Sequence, residues 1–255
     1  MLRITGQRND GYHLLQTYFQ LLNWGDIMLF ESTQNNTIEI HGEFDSLTIE
    51  HNLIYKAAKL LLPYKNTNHG VKIDVEKNIP QGSGLGGGSS NAGTTLRVLN
   101  RLWKCNLSNN DLQKLAVTLG ADVPVFVLNK SAMATGVGEK LTPYCLEEFY
   151  FVLIFPKISI STIKVFSDSS LLRNQEPIDI NGINNKKNWT NTCLQPVLSN
   201  YPMVKNIYTK ASKLTNTYMS GTGSTLFTCF NNQDKALEFC QKCPAEWKTT
   251  VCRSK

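Results

Sequence analysis

The feature that most constrains this chain is a glycine-rich run at residues 82–90, GSGLGGGSS, which stands between a predicted strand and a predicted helix. Apolar and charged side chains alternate over 71–76, which predicts a half-buried strand. Apolar residues recur at helical spacing over 91–103. Glycines allow the backbone to approach a ligand closely, and the free N–H groups and positive dipole end of the following helix favour an anion. The run therefore predicts a phosphate-binding loop.

Three other interpretations of the run fit its residues less well. A flexible linker or a tight turn is disfavoured because linkers do not usually sit inside a strand–loop–helix frame. Gly82, Gly84 and Gly87 satisfy GxGxxG, but a dinucleotide site needs an acidic residue about 20 positions further on, at the end of a second strand, whereas Asp111 opens a helix. No Lys follows the glycines as in a Walker A loop. The expected phosphate-binding residues are Pro80, Gln81, Gly82, Ser83, Gly84, Leu85, Gly86, Gly87, Gly88, Ser89 and Ser90.

Composition narrows the class of protein. No apolar run approaches the roughly 20 residues that span a bilayer, and no secretory leader is visible, so a cytoplasmic location is expected. The formal charge of +6 suits an anionic partner such as a nucleotide, but Lys and Asn are used along the whole chain, and no basic stripe with interleaved aromatics predicts nucleic-acid binding. Seven cysteines without an export signal indicate reduced thiols, and the Cys240–Cys243 pair is interpreted as core packing rather than half a zinc site.

The pattern of predicted elements changes near residue 147, where we place a domain boundary. Helices are predicted at 53–62 and 109–119 before it, and at 163–170, 201–213 and 233–242 after it. Strands are predicted at 151–155, at 225–230 and ending near Val251. This order predicts a small α+β layer with a split βαβ arrangement, and the Asn-rich stretch 181–191 is predicted to be an exposed loop.

Several motifs, in order along the chain, resemble those of the GHMP kinases. They are ITGQRNDGYH at 4–13, IPQGSGLGGGSSNAGTTL at 79–96, LGADVPVF at 119–126, GVGE at 136–139 and MSGTGS at 219–224. Within that family they are similar to the branch that phosphorylates a cytidine-diphosphate polyol. The resemblance implies an α+β fold with two domains, a ribosomal protein S5 domain 2-like ATP-binding domain at 1–147 and a ferredoxin-like domain at 148–255.

The resemblance also implies a reaction. The branch transfers the γ-phosphoryl group of ATP to the 2-hydroxyl of 4-diphosphocytidyl-2-C-methylerythritol in the non-mevalonate route to isoprenoids, with Mg²⁺. Phosphoryl transfer needs positioning, charge neutralisation and a group that orients or deprotonates the attacking hydroxyl. The resemblance assigns this last role to Asp122. From the residues alone, an Asx turn at the start of a helix explains Asp122 equally well.

Four further residues match the branch's substrate positions. The resemblance implies that Tyr12 and His13 recognise the cytosine, that Phe166 stacks on it, and that Thr162 lies close by. The branch usually has Pro after that Thr, where this chain has Ile163. For Tyr12 and Phe166 the alternative is packing in the core.

One departure concerns catalysis. In the branch a Lys and an Asn lie on the first strand upstream of the ITG segment, and this sequence begins at Met1, three residues before Ile4. Either the start lies at an internal Met of a longer chain or the copy is degraded, so the 255-residue chain is expected to bind ATP but to phosphorylate poorly. Comparing its turnover with that of an upstream-extended chain tests this. Another GHMP kinase, a non-catalytic nucleotide-binding relative and, remotely, an oxidoreductase stay open as alternative functions. A homodimer stays open as the assembly.

Overall fold

A computed structural model describes residues 1–44 and 48–255. The strands are β1 (Leu2–Gln7), β2 (His13–Phe19), β3 (Ile27–Thr33), β4 (Ile38–Gly42), β5 (Gly70–Glu76), β6 (Ala132–Gly136), β7 (Lys140–Pro143), β8 (Tyr150–Phe155), β9 (Tyr218–Met219), β10 (Leu226–Phe230) and β11 (Lys248–Arg253). The α-helices are α1 (Leu53–Leu61), α2 (Gly87–Leu102), α3 (Asn109–Val117), α4 (Val123–Leu128), α5 (Thr162–Phe166), α6 (Leu194–Asn200), α7 (Pro202–Ser212) and α8 (Gln233–Lys242). None of these helices is long and apolar enough to cross a membrane.

The chain divides into two compact units. Unit A consists of residues 1–24, 81–85 and 131–255, and unit B of residues 25–80 and 86–130. The glycine-rich run is therefore shared, with its first half in unit A and the start of α2 in unit B. These compact units do not follow the domain boundary predicted at residue 147. That boundary concerns the two domains of the family and stays a prediction.

Unit B is a three-stranded sheet covered by helices. Its strand order is β3-β5-β4, with β3 antiparallel and β4 parallel to β5. The alternation predicted on β5 is confirmed, because Val71, Ile73 and Val75 are buried. They join the buried faces of α1 and α2 in one apolar core that includes Trp103. Burial of this face, rather than helix propensity, holds α1 and α2 on the sheet.

Unit A contains two four-stranded sheets, ordered β1-β2-β6-β7 and β11-β8-β10-β9. All pairs in the second sheet are antiparallel. Helices α5 to α7 lie between β8 and β9, and α8 lies between β10 and β11. With β8 and β10 at the centre of the sheet, this is the βαββαβ order of a ferredoxin-like arrangement. Apolar and polar residues do not alternate clearly along β8, because residues 151–155 are all buried. One face of the strand packs into one apolar core cluster and the opposite face packs into another.

Several predicted elements need correction. The helix predicted from 91 begins at Gly87, and the helix predicted to reach 119 ends at Val117. The helix predicted at 163–170 is short, ending at Phe166. The Asn-rich stretch is not simply exposed, because two 3₁₀ segments bury Ile183 completely and Trp189 to 9% exposure. All seven cysteines are free, and the half-buried Cys240 and Cys243 pack against the core of unit A.

Candidate active site

The first half of the glycine-rich run is held by backbone hydrogen bonds within unit A. Ile160 N donates to the Gly82 carbonyl at 3.3 Å and Thr225 N donates to the Ser83 carbonyl at 3.0 Å. The Ser220 hydroxyl donates to the Gly84 carbonyl at 2.9 Å. These contacts hold the run against the MSGTGS segment at 219–224. The sequence identifies this segment as a motif but predicts no site residue in it.

Gly84 shows why this half needs glycine. Its φ of +76° lies in the left-handed region, and a Cβ atom there would come within 2.4 Å of the Ser220 carbonyl oxygen and 2.6 Å of the Gly223 carbonyl oxygen. Both neighbours are backbone atoms, which cannot rotate away as a flexible side chain can. The close approach of two backbones is therefore possible only without a side chain at this position.

Gly84→Ala is expected to weaken ATP binding by at least about tenfold and to lower the free energy of unfolding by more than about 1 kcal/mol, because of the positive φ and the clash. Calorimetric titration with ATP and urea denaturation measure the two effects. Gly182→Ala in the same unit is the control, since a Cβ there meets only ordinary contacts at 3.5 Å. An ATP affinity and a stability unchanged by Gly84→Ala would contradict the assigned packing.

The second half of the run opens α2 in unit B. Gly86, with φ 67°, is the N-cap, and the first intrahelical bond is donated by Ser90 N to the Gly86 carbonyl at 2.7 Å. The N–H groups before it, from Gly87 to Ser89, therefore lie in the first turn, where helices offer donors to anions. Neither Ser89 nor Ser90 caps this helix with its side chain. Their half-buried hydroxyls remain candidates for contact with a phosphate or Mg²⁺.

A buried carboxylate ties together the two ends of this loop in unit B. Asp26 has no solvent-exposed side-chain surface and forms an ion pair with Lys77. It also accepts hydrogen bonds from the backbone N–H groups of Asn78 and Ile79, both at 2.8 Å, and from Asn91 Nδ2 at 2.8 Å. Residues 77–79 enter the glycine-rich run and Asn91 lies just beyond it in α2. One side chain therefore fixes the chain on both sides of the proposed phosphate loop.

Desolvation and hydrogen bonding act in opposite directions on Asp26. Burial raises the pKa of the carboxyl group, but the donors from Ile79, Lys77, Asn91 and Asn78 together lower the pKa below its ordinary value. The carboxylate is therefore ionised at neutral pH and fully partnered. No sequence pattern indicates this role, because Asp26 is a single acidic residue in the stretch Trp24-Gly25-Asp26-Ile27.

Asp122 is the residue immediately before α4 in unit B. Its backbone is helical, with φ −87° and ψ −14°, and its side chain does not cap the helix. No hydrogen bond or ion pair to its carboxylate comes from the part of the chain that the structure describes. The Asx-turn alternative is therefore wrong, and the carboxylate is free to bind another group. The side chain is exposed to solvent, yet the protein packed around it desolvates the carboxylate and raises the pKa of Asp122.

Two of the four predicted substrate residues, His13 and Phe166, are in contact in unit A, and Tyr12 precedes His13 in the chain. Tyr12 and His13 lie at the end of the β1–β2 hairpin, and the His13 ring lies 5.1 Å from the Phe166 ring, tilted by 40°. Tyr12 is 63% exposed, so its core-packing alternative is wrong. Phe166 is half-buried and packs against the core as well as against His13. The hairpin and α5 therefore present aromatic surface to solvent at one place.

Thr162 begins α5, the helix that ends at Phe166. Its hydroxyl lies 3.1 Å from the hydroxyl of Thr222, a buried residue of the MSGTGS segment. Within unit A the same segment thus contacts both the glycine-rich run and the helix that carries two predicted substrate residues. Ile163, where the resembled branch usually has Pro, is 80% exposed and does not interrupt the helix.

Arg173 is a residue that the sequence patterns did not single out. Its guanidinium donates to His13 Nε2 at 3.1 Å and to the backbone carbonyls of Leu171, Phe166 and Asp168 at 3.0–3.1 Å. Burial and the neighbouring charge of Arg173 lower the pKa of His13. A lone Arg in an irregular segment has no periodicity to reveal it, so only the folded geometry connects it with His13.

The described residues contain no group of three or more His, Cys, Asp or Glu side chains placed to hold a metal ion. Mg²⁺ at kinase sites is bound mostly by substrate phosphates and water with one or two protein groups. A site built with the nucleotide, in which Ser89 or Ser90 contributes a hydroxyl, fits the residues present.

Comparison with known proteins identifies the family. The GHMP kinases N terminal domain matches residues 52–130, and the GHMP kinases C terminal domain matches residues 174–249. A 4-diphosphocytidyl-2-C-methyl-D-erythritol kinase of Pseudomonas fluorescens is 45% identical over 92% of this chain and 83% of its own length. One of Marinomonas sp. is 44% identical over 99% of this chain and 83% of its own length. The chain belongs to the 4-diphosphocytidyl-2-C-methyl-D-erythritol kinase family.

A solved structure agrees with this assignment. A crystal structure of 4-(cytidine 5'-diphospho)-2C-methyl-D-erythritol kinase superimposes with a TM-score of 0.86 and 30% sequence identity, covering all of this chain and 95% of that one. The predicted two-domain α+β fold of the GHMP kinases is confirmed by these matches. As a member of the 4-diphosphocytidyl-2-C-methyl-D-erythritol kinase family, the chain is an ATP-dependent kinase for a small molecule.

Proposed function

We propose that this chain transfers the γ-phosphoryl group of ATP to the 2-hydroxyl of 4-diphosphocytidyl-2-C-methyl-D-erythritol. The observation that carries the proposal is the aromatic surface of unit A, where His13 lies 5.1 Å from Phe166 beside an exposed Tyr12. A planar base fits such a surface, since aromatic rings stack on bases and an imidazole forms hydrogen bonds with their edges. The names of the curated relatives support a cytidine-diphosphate substrate.

Each proposed site residue has a stated task. The backbone from Pro80 to Ser90 binds the ATP phosphates, with Mg²⁺ neutralising charge on the phosphates when it is bound. Asp122 orients the attacking hydroxyl and accepts its proton, for which an exposed carboxylate without a protein partner and with a raised pKa is suited. Tyr12, His13 and Phe166 bind the cytosine. Thr162, hydrogen-bonded to Thr222, lies close to the same ligand.

The experiment is a substrate comparison. The purified chain is incubated with ATP, Mg²⁺ and 4-diphosphocytidyl-2-C-methyl-D-erythritol, and ³¹P NMR monitors the new phosphomonoester. The kcat/KM for this polyol is expected to exceed that for mevalonate and homoserine by at least about a hundredfold, because only the polyol carries the base. Comparable turnover of mevalonate or homoserine would overturn the proposal, and ATP binding without any turnover would favour a non-catalytic relative.

We also propose that the chain acts in the cytoplasm on a small molecule, without a nucleic-acid or membrane partner. A homodimer stays a prediction, which sedimentation of the purified chain at several concentrations would test.

A further inference from the structure

The Arg173–His13 hydrogen bond fixes the protonation of the imidazole. A guanidinium has only donors and stays charged at any physiological pH, so its partner must supply a lone pair. Arg173 Nε lies 3.1 Å from His13 Nε2, and Nε2 is therefore the unprotonated nitrogen. In a neutral imidazole the other nitrogen then carries the proton. His13 is thus the Nδ1–H tautomer, and a doubly protonated ring is incompatible with this bond.

Arg173 is itself held in place. Its other donors bind three backbone carbonyls, those of Leu171 at 3.0 Å, Asp168 at 3.0 Å and Phe166 at 3.1 Å. The guanidinium therefore cannot rotate to follow a flipped imidazole without losing several bonds. The ring of His13 is also limited on one side by Phe166. Within the described chain, no acceptor is hydrogen-bonded to His13 Nδ1, so this donor is left for a ligand.

We propose that Arg173 is a positioning residue for base specificity, which locks His13 as a fixed Nδ1–H donor that accepts cytosine and rejects uracil. The inference rests on the proposed function, because it assumes that the base lies against His13. It explains how the two pyrimidines, which have the same shape, can be distinguished. At ring position N3 cytosine has a lone pair, whereas uracil has an N–H group.

The consequence for binding follows from the pairing of donors and acceptors. Cytosine N3 accepts the Nδ1–H bond, while uracil places an N–H group against another N–H group. A neutral histidine without Arg173 could change tautomer and accept a bond from uracil, so it would discriminate poorly. Each unmatched donor at a desolvated site is expected to weaken binding by about tenfold, which is about 1.4 kcal/mol.

The test combines a ligand-free and a ligand-bound measurement on the whole chain. ¹⁵N NMR of histidine-labelled protein reports which ring nitrogen of His13 is protonated, and a Nδ1–H tautomer is expected. Calorimetric titration with CDP and UDP is expected to show at least about tenfold tighter binding of CDP. In Arg173→Gln the tautomers are expected to mix and the CDP/UDP affinity ratio to fall about tenfold. Arg101→Gln, at an exposed position on α2, should change neither measurement.

A second variant tests the same inference if Arg173→Gln does not fold after losing its hydrogen bonds to the backbone carbonyls. His13→Asn keeps an amide near the Nδ1 position but can present either its N–H or its oxygen, so CDP and UDP should bind with similar affinity. An Nε2–H tautomer in the unchanged protein, or a CDP/UDP ratio unaltered in both variants, would overturn the inference. CDP selectivity with the Nδ1–H tautomer, but without phosphorylation of the polyol, would uphold it while the proposed function fails.

Discussion

Asp122→Asn is expected to lower kcat by about 10²–10⁴-fold while leaving the dissociation constant of ATP within about threefold of its original value. The amide keeps the shape of the side chain but cannot accept the proton of the attacking hydroxyl. Single-turnover phosphorylation and calorimetric titration with ATP measure the two quantities separately. The loss should be in kcat rather than in KM for ATP, since no role in binding ATP is assigned to this carboxylate.

The same substitution should leave the protein as stable or make it more stable. Because the folded-state pKa of Asp122 is raised, its ionisation opposes folding once the pH rises above the unfolded-state pKa, and this penalty is absent in acid. Asn carries no charge, so the melting temperature at neutral pH should not fall. Asp234→Asn, at an exposed position in the first turn of α8, is the matched control and should leave kcat unchanged. Full activity of Asp122→Asn, or a loss equal to that of the control, would remove Asp122 from the mechanism.

Asp26→Asn is expected to have the largest effect on stability, lowering the free energy of unfolding by about 3 kcal/mol. The substitution leaves the Lys77 ammonium without its carboxylate and places an amide N–H group among several donors. Urea denaturation measures the loss. Hydrogen exchange of the Asn78 and Ile79 amide protons should accelerate, and KM for ATP should rise because both ends of the glycine-rich run lose their anchor.

The pH dependence gives Asp26 a second test. Its folded-state pKa is lowered, so its stabilisation is present above the unfolded-state pKa and is lost as the pH falls through the folded-state pKa. The unchanged protein should therefore lose stability in acid more steeply than Asp26→Asn. Asp74→Asn is the matched control, since Asp74 pairs with Lys72 at 3.1 Å on the partly exposed side of β5 and should cost less than about 1 kcal/mol. Equal losses in the free energy of unfolding from Asp26→Asn and Asp74→Asn would show that the buried hydrogen bonds of Asp26 add no more stability than a surface ion pair.

Strong periodicity made much of the fold predictable from the sequence. The strand predicted at 71–76 and the helix predicted at 233–242 are confirmed as β5 and α8, and one face of each is apolar and buried. The start of α2 was missed because its first residues are glycines, which have low helix propensity and no apolar side chain to count. A Cβ atom at Gly87 would come within 2.9 Å of the Ile79 side chain, so glycine is needed in this turn for close packing and not for helix propensity.

The candidate site was predictable only where a motif names it. The glycine-rich run carries its own chemistry, and the family motifs supplied Asp122, Tyr12 and His13. Asp26 and Arg173 are single charged residues. The partners of Asp26 lie 51–65 positions away along the chain, and His13 lies 160 positions before Arg173. No spacing rule reaches that far, so the supporting residues of the site emerge only from the folded contacts.

The order of the two units along the chain affects how the protein folds during synthesis. Most of unit B lies in one continuous stretch of the chain, whereas unit A combines residues 1–24 with residues 131–255. Within unit A, Lys255 N donates to the Leu21 carbonyl and Asn23 N donates to the Arg253 carbonyl. During synthesis, unit B can therefore gather its local contacts while the ribosome is still translating unit A. The opening hairpin must wait for strands encoded more than 100 residues later. The apolar side chains of this hairpin therefore stay uncovered in the nascent chain until those strands have been made.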